Sequence, residues 1–586
     1  MERDGDAVEW LRRVGVGRGV RVGVAIARGV GLGLAAPDGS ELAVDVDDPA
    51  AVVARIETVL CPRWVWWSIE TATMLVDAGV RIGACWDVAV VHRLLAGGWR
   101  ADPALVWATV RVLPLESIPV SRPLDLFTQA EPEMGDPEHP VRPDGYLRPD
   151  WVDGGWAERP ERLARWAGLA AQAATLQEGH LSTVGRSHAV ATARAESAAE
   201  LLCAELAAGG LPMDRDEAER IIAGFVGPRP RTDADAVAAR RRRDDEVLRH
   251  APRGAPVDLR HPAQVKLMLW RAGVDVPDTR AWRLQAVRDH PLVDALLTWR
   301  KAERIDTTFG YGWIDAFVGP DGRLRGRWSS ADGAAGRMTA TAGLHNMPAD
   351  LRPAVRAEPG HVLVRADLGQ IEPRVLAAVS GDRALVRSTA AADMYAPVAA
   401  QIGVDRDTAK VAMLGAMYGQ TTGHGAAVLP RLHQSYPAAM RLLEAADEAG
   451  RAGRDIRTHG GRLIRLGAHT PEDDVDDPNE AAIRDARART GARGRYARNA
   501  VIQGAAAELF KVWAVTVRAR CAELDARIVL CLHDELLVHA PASSGSAVAN
   551  LLERCLHEAA HRWSPDSGVH FVADIAVLER WSDATH

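Results

Sequence analysis

Hydrophobic and polar positions alternate with two different periods along this chain, and the periods divide it into regions. Arg21 to Ile26, Val30 to Leu34 and Glu41 to Val46 read as three short strands, with the turn Pro37-Asp-Gly-Ser40 before the third. Asp47-Asp48-Pro49 then predicts a helix start, an acid ahead of a proline in the first turn. Residues 128–160 are rich in Pro, Gly and acids and read as loop. Between 186 and 306 the pattern is helical, as in Glu196 to Ala207, where apolar residues recur at spacings of three and four. The remainder, 307–586, mixes strands and helices. In it, the apolar run His361-Val-Leu-Val-Arg-Ala-Asp367 delivers an acid at its end, and Glu372 follows at the start of a helical segment. Arg527 to Ala540 holds two β-rich runs around a polar turn, which predicts a hairpin with Asp534 at its tip. Val548 to Trp563 predicts an amphipathic helix with Leu551, Leu552, Cys555 and Leu556 inward. No repeat and no long low-complexity tract interrupts the pattern.

Composition narrows the class. At 586 residues, 47% hydrophobic and 25% charged, the chain is of ordinary globular make-up, long enough for roughly three or four domains. Its start lacks the basic and apolar segments of a signal peptide, and no apolar stretch is expected to be long enough to span a bilayer, so the expectation is an unexported, soluble, cytoplasmic protein with no membrane partner. The six cysteines show no C-x-x-C spacing and are expected to be small buried hydrophobes. The glycines at 15, 17, 19, 29, 31 and 33 do not form G-x-G-x-x-G, and no lysine precedes Lys266, so a phosphate-cradling Walker loop is excluded. They are assigned to turns and tightly packed strands. Only four of the 71 Lys+Arg residues are lysine: Lys266, Lys301, Lys410 and Lys511. The net charge of -7 leaves any polyanion partner to a locally positive cleft. The run Arg240 to Arg243, followed by Asp244-Asp245-Glu246, fits a phosphate grip and a solvated helix face with internal ion pairs equally well.

One of the four lysines lies on a chemically suggestive helix. Arg406, Lys410, Leu414 and Tyr418 are spaced by four and share one helix face. Two cations near the N-terminal end, where the helix dipole favours anions, suit a triphosphate, and an aromatic two turns on suits a base. The acids delivered at strand ends, Asp367 and Asp534, suit hard divalent cations such as Mg²⁺.

These segments resemble the family A DNA polymerases related to bacterial DNA polymerase I. Asp367-Leu-Gly-Gln-Ile-Glu-Pro-Arg374 is similar to the family's D-Y-S-Q-I-E-L-R. Arg406 to Gly419 is similar to R-x-x-x-K-x-x-x-F-x-x-x-Y-G, and His533-Asp-Glu535 to its third motif. Gly336-Arg337 to Asn346-Met-Pro348 and Asn499 to Gln503-Gly504 resemble two accessory motifs. The resemblance covers about 190–586 and is nearest to a compact branch from high-GC Gram-positive bacteria, labelled bifunctional 3′-5′ exonuclease/DNA polymerase. It implies an α/β multidomain fold: a degenerate ribonuclease H-like 3′-5′ exonuclease domain at 1–185, a thumb at 186–306, and palm and fingers at 307–586, with the fingers at about 395–500. Two Mg²⁺ ions, for which Mn²⁺ can substitute, are implied at Asp367, Asp534 and the backbone carbonyl of Leu368. Lys410 is implied as a third catalytic residue. Arg406, Lys410, Gln370, Glu372, Tyr395, Leu414 and Tyr418 are implied to bind the incoming dNTP, with Glu372 occupying the space of a ribose 2′-hydroxyl. Arg337, Asn346, Arg495, Asn499, Gln503 and His533 are implied to contact primer-template DNA. The implied function is template-directed DNA synthesis by a monomer in the nucleoid-bearing cytoplasm, in repair or gap filling. The alternative is a non-catalytic DNA-binding protein on the same scaffold. Leu368 and Gly369 in place of Tyr-Ser, Leu414 in place of an aromatic, and Cys531 in place of glutamine depart from the family pattern.

The amino-terminal region departs further. The family's exonuclease needs four carboxylates, beginning with D-x-E on the first strand. Here that strand is Val22-Gly-Val-Ala-Ile-Ala27, Trp66-Trp67-Ser-Ile-Glu70-Thr71 falls at the second acidic motif, and Trp166 to Ala170 replaces Y-x-x-x-D. The expectation is no proofreading, and no 5′-nuclease domain ahead of this one. His557-Glu558-Ala-Ala-His561 matches the zinc-protease pattern H-E-x-x-H, but it lies in the amphipathic helix already assigned to packing.

Overall fold

The computed structural model describes residues 6–120, 135–254, 257–332, 334–419, 426–467 and 480–584. The acidic loop at 472–477 and positions 128–134 of the predicted loop lie outside them. The chain forms two compact units, one of 1–208, 327–339 and 364–577, the other of 209–326, 340–363 and 578–586.

In the first unit the amino-terminal strands are β1 (Arg21–Ala27), β2 (Gly31–Ala35), β3 (Glu41–Val44), β4 (Arg63–Trp66) and β5 (Ala84–Asp87), in the order β3-β2-β1-β4-β5. The first three are the predicted strands, paired antiparallel, while β4 and β5 join β1 in parallel. Parallel addition needs crossover helices, and α1 (Pro49–Leu60) begins as predicted, with Asp48 accepting from the Ala51 amide at 3.1 Å. Helix α2 (Val88–Ala96) is capped by Asp87. Helix α3 (Pro160–Thr183) lies so close on the sheet that a Cβ at Gly23 would meet the Ala167 carbonyl at 2.3 Å and one at Gly33 the Leu163 backbone at 2.1 Å. Those two glycines are what let the helix seat. Helix α4 (Ala189–Gly209) follows.

The same unit contains a second sheet, of β6 (His361–Leu368), β7 (Arg527–Leu532), β8 (Glu535–Pro541) and β9 (Ala573–Leu578), in the order β7-β8-β6-β9. The β7–β8 hairpin forms as predicted, with Leu532 opposite Glu535, so that His533 and Asp534 make the turn. Around it stand α5 (Ile371–Ser380), α6 (Arg406–Tyr418), α7 (Glu480–Cys521) and α8 (Gly545–Trp563). The last matches the amphipathic prediction, with Leu551, Leu552, Cys555 and Leu556 buried. Helix α7 corrects one expectation: Ala488–Leu524 is long and apolar enough to cross a membrane, yet 78% of its most apolar window is buried inside the protein. It is a core helix, and its burial explains its apolarity.

A buried ionic cluster joins distant parts of this unit. The Lys511 ammonium on α7 donates to both Glu196 carboxylate oxygens on α4 at 2.7 Å, and Arg462 reaches the same carboxylate at 2.7 Å. Burial raises the cost of the Glu196 charge, but Arg462 and Lys511 outweigh it and hold its pKa low. All six cysteines are free, and all but Cys61 are buried.

The second unit contains the helices Arg215–Val226, Asp233–Leu248, Pro262–Arg271 and Pro291–Thr308, around a core that includes Val265, Leu269, Leu292, Leu296 and Trp299. Its basic run resolves in favour of ion pairing for two of the four arginines: Arg243 bonds to Asp306, and Arg240 lies 3.7 Å from the same carboxylate.

Candidate active site

Strand β6 and the β7–β8 turn are joined at their ends, where the Leu368 amide donates to the Asp534 carbonyl at 2.9 Å. Two residues at this junction, Gln370 (φ 55°) and His533 (φ 53°), adopt the left-handed backbone conformation without being glycine. Such residues cluster at functional sites, because the surrounding structure has to hold them there. Gln370 is held on both sides of its amide: Nε2 donates to Asp393 at 2.7 Å, and Oε1 accepts from the Met394 amide at 2.9 Å.

A cavity of about 280 Å³ opens at this junction. Ten of the predicted residues line it: Arg337, Leu368, Gln370, Glu372, Tyr395, Leu414, Tyr418, Gln503, His533 and Asp534. Glu372 is fixed through both oxygens, accepting from the Tyr418 hydroxyl at 2.9 Å and from Arg337 at 3.3 Å. Tyr418 is in turn bonded to Gln503 of α7. Burial pushes the Asp534 carboxyl above its ordinary pKa, and the nearby charges of Glu535 and Glu372 add to that, with Arg337 opposing. Burial likewise raises Tyr395, to about 12, and lowers His533. An opposite charge nearby favours the ionised form of such a carboxylate.

The other predicted residues stand around the cavity or away from it. Asp367 does not line it; its side chain is 30% exposed and pairs with Arg365, two residues earlier on the same strand face. Arg406 and Lys410 are exposed in the first turns of α6, where Asp405 caps the helix. Arg406 is braced by Asp393 at 2.8 Å and lies over the Tyr395 ring at 5.8 Å. Arg495 and Asn499 are on α7, and Arg495 packs against Gly419 just beyond α6. Asn346 belongs to the other unit, where its carbonyl accepts from Arg304 at 2.7 Å.

Several residues that shape this site were not among the predicted site residues, although Arg374 and Glu535 close two of the quoted motifs. Asp393 links Gln370 to Arg406. The Arg365 guanidinium, 2% exposed, lies between Asp367, Glu535 at 3.0 Å and Asp574 at 3.6 Å. Arg374, wholly buried, donates to the carbonyls of Gly369, Thr389, Ala391, Ala392 and His570, which fixes the backbone just after Leu368. Phe510 of α7 adds an apolar wall. For Arg365, the i, i+2 spacing to Asp367 is the one local clue.

The zinc-protease pattern acquires different partners. Glu558 pairs with Arg520 at 2.7 Å and with Arg562 at 2.5 Å, while His557 and His561 are exposed.

Where the amino-terminal region would need carboxylates, the structure places one apolar cluster containing Ala25, Trp67 and Trp166, with the two indoles 4.9 Å apart. Glu70 is exposed and bonds to Ser68. The acid that does end a strand there, Asp87, is buried, accepting from the Trp66 indole at 2.9 Å and from the Val90 amide at 3.0 Å. Burial and the neighbouring Glu200 push its pKa up to about 7.

Residues 263–583 match the model of the family described as DNA polymerase family A. Among curated relatives, a thermostable DNA polymerase I of Thermus thermophilus is 33% identical over 308 residues, which is 47% of this chain and 35% of that protein. A Thermus aquaticus counterpart is 31% identical over 47% of this chain, and the DNA polymerase I of Deinococcus radiodurans 26% identical over 58% of it. This chain thus matches 35% to 39% of the length of these relatives. Among solved structures, the POL domain of Pol1 from M. smegmatis, in complex with DNA primer-template and dNTP, superposes with a TM-score of 0.68 at 20% identity, covering 100% of this chain and 99% of that one. The shared mixed α/β fold therefore extends over the whole chain.

Proposed function

The chain belongs to DNA polymerase family A, and on that premise we propose that it is a template-directed DNA polymerase that adds dNTPs to a primer 3′-hydroxyl. The observation that carries the reading is the single cavity at the β6 and β7–β8 junction, where Asp534, the Leu368 backbone, Gln370, Glu372, Tyr418 and His533 meet. Asp367, Asp534 and the Leu368 carbonyl are hard oxygen donors of the kind Mg²⁺ takes, and Asp534, whose pKa is raised by burial and then by Glu535 and Glu372, is a carboxylate whose charged form a divalent ion would favour. Bound there, two Mg²⁺ ions, or Mn²⁺ in their place, supply activation of the primer hydroxyl and compensation of triphosphate charge.

The remaining work falls to side chains. Arg406 and Lys410 reach phosphate oxygens from the first turns of α6, with Arg406 already aimed by Asp393, and Lys410 Nζ passes a proton to the departing pyrophosphate. Gln370 and Tyr395 frame the nucleotide. Glu372, held by Tyr418 and Arg337, occupies the space of a 2′-hydroxyl and so favours deoxynucleotides. Leu414 gives the incoming sugar an aliphatic neighbour where an aromatic is usual. Arg337, Asn346, Arg495, Asn499, Gln503 and His533 contact the primer-template, where minor-groove acceptors vary little among correct pairs.

We assign palm and fingers to 307–586, with the fingers at about 395–500, the thumb to 186–306, and a degenerate exonuclease-like domain to 1–185. The tryptophan cluster around Ala25 supports the absence of proofreading. Gap filling or repair by a cytoplasmic, nucleoid-associated monomer completes the reading.

Primer extension on a gapped template with Mg²⁺ tests it, with dNTPs, rNTPs and dideoxynucleotides in parallel. Incorporation of dNTPs that vanishes in Asp367→Ala and Asp534→Ala is expected. No incorporation, or incorporation unchanged in those variants, sinks the reading and leaves a DNA-binding scaffold.

A further inference from the structure

A second cavity, of about 630 Å³, lies in the amino-terminal part of the first unit. It opens at the leading ends of β1 and β4, whereas Ala27 and Trp66 close the opposite ends of those strands. Four arginines line it, Arg21, Arg63, Arg111 and Arg194, against two carboxylates, Glu41 and Glu178.

Arg21 and Arg63 are partly buried, while Arg111 and Arg194 are exposed at the rim. Arg21 pairs with Glu178 at 2.7 Å and stacks on the Trp86 ring at 4.8 Å, and Arg194 reaches the other Glu178 oxygen at 3.5 Å. One carboxylate therefore orients two guanidinium groups without neutralising both. Arg63 donates to the Cys85 carbonyl at 3.2 Å, and among the described residues neither Arg63 nor Arg111 has an ion-pair partner. Burial is the main cause that lowers the pKa of Arg63, and the charges of Arg194 and Arg21 add to it, with Glu178 opposing.

Two positive charges thus remain uncompensated in a concave site. A phosphodiester brings one negative charge, whereas a phosphate monoester brings about 1.5 to 2 near neutral pH, together with three acceptor oxygens for forked donors. The volume lies within the usual range for small-molecule sites, so more than a bare phosphate fits. We propose that this cavity binds a phosphate monoester dianion. A free mononucleotide and a 5′-phosphorylated DNA end both present that group.

Calorimetric titration of the full chain in metal-free buffer with inorganic phosphate, a deoxynucleoside 5′-monophosphate, and the same oligonucleotide with and without a 5′-phosphate tests this. Saturable phosphate binding is expected, weakened at least tenfold in Arg63→Gln, about 1.4 kcal/mol. Because Arg63 is half-buried and its loss could disturb folding, Gln172→Glu, at an exposed lining position on α3, is the second variant and is expected to weaken binding equally. Asp534→Asn should bind phosphate as the wild type does. Stronger binding of the 5′-phosphorylated oligonucleotide than of its 5′-hydroxyl twin, lost in Gln172→Glu, assigns the site to DNA ends. Equal binding of the two, with the mononucleotide sensitive to Gln172→Glu, assigns it to free nucleotides. Absence of phosphate binding, or binding unchanged in both Arg63→Gln and Gln172→Glu, overturns the proposal.

Discussion

Both sheets of the first unit run an apolar strand up to an acid, and the two acids end in opposite conditions. Asp87, at the end of β5, is 1% exposed, caps α2 and bonds to the Trp66 indole. Asp367, near the end of β6, keeps its side chain 30% exposed beside an acidic neighbourhood that Arg365 only partly neutralises. What separates a sealed carboxylate from an accessible one is what covers the strand ends. In the amino-terminal sheet α3 brings Trp166 against Trp67 and seals the space, whereas the end of β6 stays open to a cavity.

The largest test of that contrast is at the open end. Asp534→Ala should lower primer extension by roughly 10³-fold or more, since metal stabilisation is worth several kcal/mol, with thermal unfolding little changed. Extension within tenfold of wild type would erase the distinction. At the sealed end, Ala25→Asp places a carboxylate among tryptophans without a partner and should cost about 3 kcal/mol in urea unfolding, yielding no metal-dependent shortening of a mismatched 3′ end. A stable variant that trims such an end would show that only the acids are missing there.

A smaller effect separates the two acids by pH. Asp87 titrates at about 7 when folded and near 3.8 when unfolded, so its ionisation removes stability as pH rises between those values. Asp87→Asn lacks that loss. Its stability relative to wild type should therefore rise between pH 4 and pH 8, by on the order of 2 kcal/mol, read from melting curves across that range. A flat difference would mean that Asp87 stays charged in its buried setting. The smallest effect is at Tyr418→Phe, which frees one oxygen of Glu372. A loss of about 1 kcal/mol of sugar discrimination is expected, seen as a roughly fivefold rise in rNTP over dNTP use.

Local pattern carried the elements of this site further than its connections. The β7–β8 hairpin, helix α6 with its four-residue stripe, and the first three strands were legible because each is encoded within about fifteen residues by periodicity and turn chemistry. The extent of α7, 42 residues, was not, because its amino-terminal half alternates small and charged residues without a clean apolar stripe. The clamp of Asp393 on Gln370 and Arg406 was invisible for another reason: it joins three segments, and no spacing rule links them. Nor did an isolated arginine before Asp367 announce three carboxylate neighbours, since two of them come from β8 and β9.

The buried ionic cluster bears on the order in which the molecule can be built. Glu196 is made early, but Arg462 and Lys511, which neutralise it, are made only after the whole inserted segment 209–326 and the first strand of the second sheet, β6. A desolvated carboxylate without them is costly, so α4 cannot settle into its final packing while the ribosome is still in the middle of the message. Chains usually mature domain by domain from the amino terminus. Here the amino-terminal part of the first unit has to wait for Lys511, and the cluster acts as a latch that a late segment of the chain closes on an early one.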